Sequence, residues 1–421
     1  MKQKVSKIAI LLAKFGHIGL SFNMFPSFLP LRYLGLACAL VLAPFVSQAD
    51  AVNPVPAIPN MIVGTQAIGG PYQFTDENYL VEASREIKAM GSNLIKFAFN
   101  PRRYTGKPYN MDEIPGIDSM KDLMEKHPDY QEVMNMGFRF YHMWANPYAM
   151  PRWQDGIDAY EEEALYDEFV EFTTYLMEKY KGTGKVFFLG HWEGDWLLKG
   201  KTDPTIDPTP ERIRGFAQYL NIRQRAIEDV RSERVGTGVQ VYHYTEVNQV
   251  RKGIDGSRPT LANSVLPLVD VDFVSYSSYD TIYRKKNLRE ELFNALNHIE
   301  SNMKPRSDIQ GKRVFIGEFA VKALNVKHDE AEHDRRNREI IKAALEWGCP
   351  FILYWEMYCN ENSRGHHEGF WLIDEHQHKV QLYHTFKDYY ANLKQYMRDV
   401  HAETGSLPDS EAIRAFSITQ F

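Results

Sequence analysis

Lys185-Val186-Phe187-Phe188-Leu189-Gly190 runs straight into His191-Trp192-Glu193-Gly194-Asp195-Trp196. The first six residues have an unbroken apolar centre, the mark of a strand buried on both faces. The next six bring out a carboxylate among aromatics as soon as the run ends. Seven further runs of this kind lie on either side, at 61–68, 93–100, 138–145, 239–244, 272–279, 313–320 and 351–358. Between them the apolar residues fall at helical spacing, as in 167–180 with Phe169, Phe172, Tyr175 and Leu176. The stretch 211–233 opens with Thr209 as a cap and Pro210 in the first turn, and 288–303 and 334–347 read the same way. Eight apolar strands, each followed by a helix, predict an α/β fold: a single (β/α)8 TIM barrel with a parallel eight-stranded core over residues 61–382. The rival, a doubly wound open sheet, wants a glycine-rich phosphate turn after the first strand. Gly64-Thr65-Gln66-Ala67-Ile68-Gly69-Gly70 does not fit G-x-G-x-x-G.

Outside the barrel, residues 50–60 carry Pro54, Pro56 and Pro59 and read as an extended lead-in, and 383–421 reads as a helix and tail packed on the barrel. The first 49 residues hold five cations and no acid. Their apolar run, 34–46, ends in Ser47-Gln48-Ala49, the small-residue pattern of an export signal. That run is shorter than the ~20 apolar residues a bilayer requires. The mature chain is therefore expected outside the cytoplasm, periplasmic or extracellular, with no stable membrane span, and Met24 offers an alternative start. Removing 5 of the 49 basic residues leaves 44 against 55 acidic ones, a net charge of −11. An acidic chain argues against nucleic acid as a partner. Cys349 and Cys359 flank a strand, whose length at ~3.3 Å per residue holds them too far apart to bridge. No metal-ligand spacing occurs, and no cofactor is expected.

In a TIM barrel the chemistry sits at the C-terminal ends of the strands. Strand four delivers Glu193 there, and strand seven, Ile316-Gly317-Glu318-Phe319-Ala320, delivers Glu318. Two carboxylates of this kind suit glycosidic bond cleavage. One protonates the leaving oxygen while the other, ionised, faces the anomeric carbon. Trp144, Trp192 and Trp355 also fall at strand ends, where aromatic faces can stack on sugar rings. His142, Asn146, His191 and His243 are candidate pocket residues. Arg102, or its neighbour Arg103, is a candidate to orient Glu318. Glu246 and Glu356 also lie near strand ends and are the competing carboxylates.

This layout resembles clan A of the glycoside hydrolases, whose acid/base Glu ends strand four and whose nucleophile Glu ends strand seven. The resemblance implies a retaining double displacement on the O-glycosidic bonds of a poly- or oligosaccharide. Glu193 would be the acid/base and Glu318 the nucleophile. It also implies that Trp355, in Leu353-Tyr354-Trp355-Glu356-Met357-Tyr358, underlies the sugar at the cleavage point. Tyr276 or Tyr279 would then donate a hydrogen bond to Glu318. Nearby donors and cations are expected to lower the pKa of Glu318, while shielding by Trp192 and Trp196 raises that of Glu193. One departure stands out: the clan carries Asn directly before the acid/base, and this chain carries Trp192. Two other readings compete. A non-catalytic carbohydrate-binding barrel would have no reason to keep both carboxylates. A metal-dependent amidohydrolase-type barrel would show His-x-His after strand one, where Val63-Gly64-Thr65-Gln66 has none.

Overall fold

The computed structural model describes residues 59–283, 287–363 and 365–421. The expected export segment and most of the lead-in lie outside the described residues. Eight strands close a barrel in chain order. They are β1 (Val63–Ala67), β2 (Leu94–Phe99), β3 (Phe140–Ala145), β4 (Val186–Gly190), β5 (Gln240–Val247), β6 (Phe273–Ser277), β7 (Val314–Phe319) and β8 (Ile352–Tyr354). Every neighbouring pair is parallel, and β8 pairs back onto β1 through Val63 and Ile352. This is the (β/α)8 barrel that the eight apolar runs predict. All but β5 are buried along their whole length, as strands covered on both faces must be.

Two strand lengths differ from the runs, with consequences for the site. β5 continues to Val247, past the apolar stretch that ends at residue 244, so Thr245 and Glu246 belong to the strand. β8 is only three residues long, although the apolar run continues to residue 358. Beyond Tyr354 the chain is bonded to both neighbours: Trp355 N donates to Phe319 O and Met357 N to Gln66 O.

The helices begin where local chemistry provides for their first N–H groups. Asp158 and Glu161 form a capping box at the start of Ala159–Lys179. Thr209 caps Pro210–Glu233, whose first residue, proline, has no N–H to leave unpaired. The end of the chain forms two helices, Gln381–Thr404 and Ser410–Gln420. Tyr390 of the first donates to Val63 O at 3.0 Å, tying this helix to β1. Among the described residues, no helix is long and apolar enough to cross a membrane. Cys349 and Cys359 are buried and unbridged.

Inside the barrel a closed apolar cluster joins Leu94, Phe140, Phe188, Tyr244, Phe315 and Phe351 with their neighbours. Side chains alternate along a strand, so the next inward positions toward the C-terminal ends follow in phase with these. On β2, Leu94 is followed two residues later by Lys96. On β5, Tyr244 is followed by Glu246, and on β6, Phe273 is followed by Ser275 and Ser277. A polar layer therefore lies directly above an apolar one.

Candidate active site

Glu193 leaves the end of β4 and precedes the short helix Gly194–Lys199. A Cβ at Gly194 would lie 2.4 Å from Leu261 Cδ1 and 2.7 Å from Glu246 O, so only glycine lets the chain turn there. Asp195 then accepts N–H bonds from Asn248, Gln249 and Leu261 at 2.9, 3.1 and 2.8 Å, anchoring the turn to the loops beyond β5. One turn along, Trp196 Nε1 donates back to Glu193 Oε2 at 2.6 Å. The Glu-Gly-Asp-Trp stretch is thus a self-contained clamp on the Glu193 carboxyl.

Glu318 reaches the interior through an irregularity. Tyr276 pairs with Ile316, but the next residue, Ser277, pairs with Glu318, so Gly317 is skipped in the β6–β7 register. Such a bulge re-aims the side chain that follows it. Here it sets Glu318 opposite Ser277. The Ser277 hydroxyl lies 2.5 Å from Glu193 Oε1 and 3.4 Å from Glu318 Oε2. Those two oxygens are consequently no more than 5.9 Å apart, the sum of the two contacts.

Beneath the pair sits a fully buried cation. Lys96 Nζ is 3.0 Å from Glu246 Oε2, 3.1 Å from Gly317 O and 3.3 Å from Glu318 Oε1. It also lies over the Trp144 ring, 4.8 Å from its centroid, a cation–π geometry. Glu246 accepts a bond from Ser275 Oγ at 2.7 Å, and its other oxygen accepts the Glu193 N–H at 3.0 Å. Trp144 and Trp355 stand side by side with ring centroids 6.0 Å apart. Among the described residues, Trp144 Nε1 and the Tyr279 hydroxyl are buried donors without a hydrogen-bond partner.

The electrostatics follow from burial. Desolvation pushes the Glu193 carboxyl up to about 7, against the opposing bonds from Ser277 and Trp196, and the Glu246 charge adds to the rise. Glu318 also lies well above the ordinary carboxylate range. Burial raises it, Lys96 pulls it down, and the charges of Glu246 and Glu193 raise it further. This corrects the sequence-based expectation of a lowered value, which reckoned with the donors and not with the cost of desolvating the charge. The negative charge of Glu193 disfavours a second one on Glu318. Lys96 bonds only one of them, so a single negative charge on the pair is stabilised at Glu318.

Of the residues singled out from sequence, the structure brings together Glu193, Glu318, Trp144 and Trp355. Tyr279 joins them, since its phenol is raised by burial and by the nearby charges of Glu318 and Glu193. Trp192 stands at the rim, 37% exposed. The others lie elsewhere. Tyr276 is buried and bonds Asp280 and Thr281, not Glu318. His142 stacks on Phe188 in the apolar layer, 4.5 Å between centroids. Its charged form is strongly disfavoured there by burial. His243 bonds Gln224 on the helix Pro210–Glu233. His191 bonds Thr245 at 2.7 Å and packs on Phe216; burial pushes it down to about 3, so it is neutral. Asn146 donates to Trp144 O at 3.3 Å. Arg102 and Arg103 are exposed in the turn after β2, so the cation beside Glu318 is Lys96 and neither of them. Glu356 is buried with one oxygen bonded to Asn360 N, and burial raises its pKa well above the ordinary carboxylate range.

Sequence reasoning missed Lys96, Ser275 and Ser277 and treated Glu246 as a competitor. The signal was phase: each falls an even number of residues from an apolar inward position on its strand.

No family model matches the chain, and no curated protein matches it. Solved structures do. They include an exo-β-1,4-mannosidase from Opitutaceae bacterium strain TAV5, at 14% identity and a TM-score of 0.50 over 80% of this chain and 60% of that one. A family 39 glycoside hydrolase from the gut symbiont Bacteroides cellulosilyticus WH2 matches at 12% identity and a TM-score of 0.49, over 80% and 64% of the two chains. A broad-specificity endoglucanase from Clostridium acetobutylicum matches at 11% identity and a TM-score of 0.47, over 79% and 97%. The chain thus spans less than two thirds of the length of the first two. What it has in common with the mannosidase, at this identity, is its fold.

Proposed function

We propose that this protein is an exported glycoside hydrolase that cleaves O-glycosidic bonds of a poly- or oligosaccharide with retention, using Glu193 as acid/base and Glu318 as nucleophile. One observation carries the reading: a single hydroxyl, Ser277 Oγ, touches both carboxyls, which bounds their nearest contacting oxygens at 5.9 Å. Retaining enzymes hold the two groups ~5–5.5 Å apart, whereas inverting ones need ~6.5–9.5 Å to admit a water. The exo-β-1,4-mannosidase with which the chain has its fold in common points the same way.

The division of labour follows from the charges. Glu193, with no cation of its own and a pKa near 7, carries the proton that assists departure of the glycosidic oxygen. Glu318, bonded to Lys96, carries the negative charge that attacks the anomeric carbon. In the second half-reaction Glu193, now ionised, takes a proton from water, which displaces Glu318 from the sugar. Trp144 and Trp355 supply the apolar wall, and Tyr279 and Trp144 Nε1 offer donors to sugar hydroxyls.

Chemical rescue tests the roles after a panel of aryl glycosides has identified a substrate. Glu193→Ala should form the glycosyl-enzyme from a substrate with a good leaving group, and azide should then yield a glycosyl azide of retained configuration. Glu318→Ala should form no such intermediate, and azide should give the inverted product. The opposite pattern would exchange the roles, and full activity in both variants would overturn the reading.

A further inference from the structure

Glu246 is bonded to Glu193 directly and is linked to Glu318 through Lys96. Its Oε1 accepts the main-chain N–H of Glu193 at 3.0 Å. Its Oε2 accepts from Ser275 at 2.7 Å and from Lys96 at 3.0 Å, and Lys96 in turn holds Glu318 at 3.3 Å. The side chain is completely buried, so both contacts are made in an interior where charge-assisted bonds are strong and geometry is held closely. A Cβ at Gly317 would fall 3.0 Å from Glu246 Oε2 and 1.7 Å from Ser275 Oγ, so the β7 bulge is shaped to fit this carboxylate.

We infer that Glu246 is a positioning residue that joins the two halves of the site. One oxygen fixes the backbone from which the acid/base projects, and the other fixes the cation that holds the nucleophile. The inference rests on the hydrolase reading above. It assigns Glu246 two separable contributions. Its reach sets the spacing of Glu193 and Glu318. Its charge balances Lys96, whose ammonium would otherwise be shared by Glu318 alone. The charged and titratable groups around it are Lys96 from β2, Glu193 beyond β4, Tyr244 from its own strand and Glu318 from β7.

Two variants separate reach from charge. Glu246→Gln keeps the length and an oxygen for the Glu193 N–H but removes the charge. Because the Glu246 charge raises both catalytic carboxyls, both limbs of the pH–rate profile should move to lower pH, by roughly one unit. Glu246→Asp keeps the charge but withdraws the carboxylate by one methylene. Here the limbs should stay in place while kcat falls by about 10- to 100-fold at nearly constant KM, the cost of a misplacement on the order of 1 Å. Limbs unmoved in Glu246→Gln, or wild-type kcat in Glu246→Asp, would overturn the proposal, and either variant is decisive if the other fails to fold. Carbon-13 titration of the Glu193 and Glu318 carboxyls in wild type and Glu246→Gln reads the same charge coupling without turnover. A wild type inactive on every glycoside, yet showing that shift, would sink the hydrolase reading and leave the coupling intact.

Discussion

Replacing Glu193 by Gln should make the protein more stable at neutral and alkaline pH while removing its activity. The amide can still accept from Trp196 Nε1, bonded to Glu193 Oε2 at 2.6 Å, and can turn its NH2 toward Ser277 Oγ. It therefore imitates the protonated acid. In the folded protein burial lifts the Glu193 carboxyl from 4.5 to about 7. A carboxyl raised on folding contributes stability that is fully present below its unfolded value and is lost as pH rises through its folded value. The loss here begins near pH 4.5 and is complete a little above pH 7, and a change of that size is worth about 3 kcal/mol. The neutral amide has no such loss. Glu318 adds in the same direction, because the Glu193 charge is one of the influences that raise it. Urea unfolding of both proteins at pH 4.5, 6, 7 and 8 should give equal stabilities at the acid end. The variant should lead by about 3 kcal/mol at pH 8. A difference that stays flat with pH, or a variant less stable at pH 8, would refute the argument that desolvation of Glu193 is held in the folded state for function.

Three further outcomes follow from the geometry. Lys96→Met leaves the buried side chains of Glu246 and Glu318 without their cation, so stability at pH 7 should fall by ~3–5 kcal/mol in urea unfolding. The acid limb of its activity should move up, since Lys96 lowers Glu318, and a pH–rate profile reads this directly. Trp355 is only 6% exposed and belongs to the main core, so Trp355→Ala should cost ~3–5 kcal/mol by itself. The discriminating variant is Trp355→Phe, expected to keep Tm within a few degrees while kcat/KM drops about tenfold through loss of the broad stacking face. Gly317→Ala forces a methyl against Ser275 Oγ and should destabilise by about 1–3 kcal/mol in denaturant titration, with a larger loss of turnover than of stability.

The eight apolar runs and the two glutamates were legible without a structure because each depends on neighbours in the chain. An uninterrupted stretch such as Val186–Gly190 must be covered on both faces wherever it folds, and eight of them alternating with helices leave few arrangements besides a barrel. The strand-end position of Glu193 and Glu318 then follows from the fold. The export reading of the first 49 residues is likewise a property of local composition, and it stands as a sequence expectation.

The partners of those glutamates were decided across the barrel. Lys96 and Glu246 are 150 residues apart and meet only because β2 and β5 point their side chains at the same axis. Ser277 faces Glu318 because of a one-residue slip in the β6–β7 pairing that no local pattern announces. Tyr276 looked equivalent to Tyr279 in sequence, yet it bonds Asp280, while Tyr279 lies beyond the strand and neighbours Glu318. The pKa of Glu318 shows the same division. Sequence could enumerate donors and cations, but the desolvation that outweighs them depends on how completely the closed barrel excludes water, and that is settled only when all eight strands are in place.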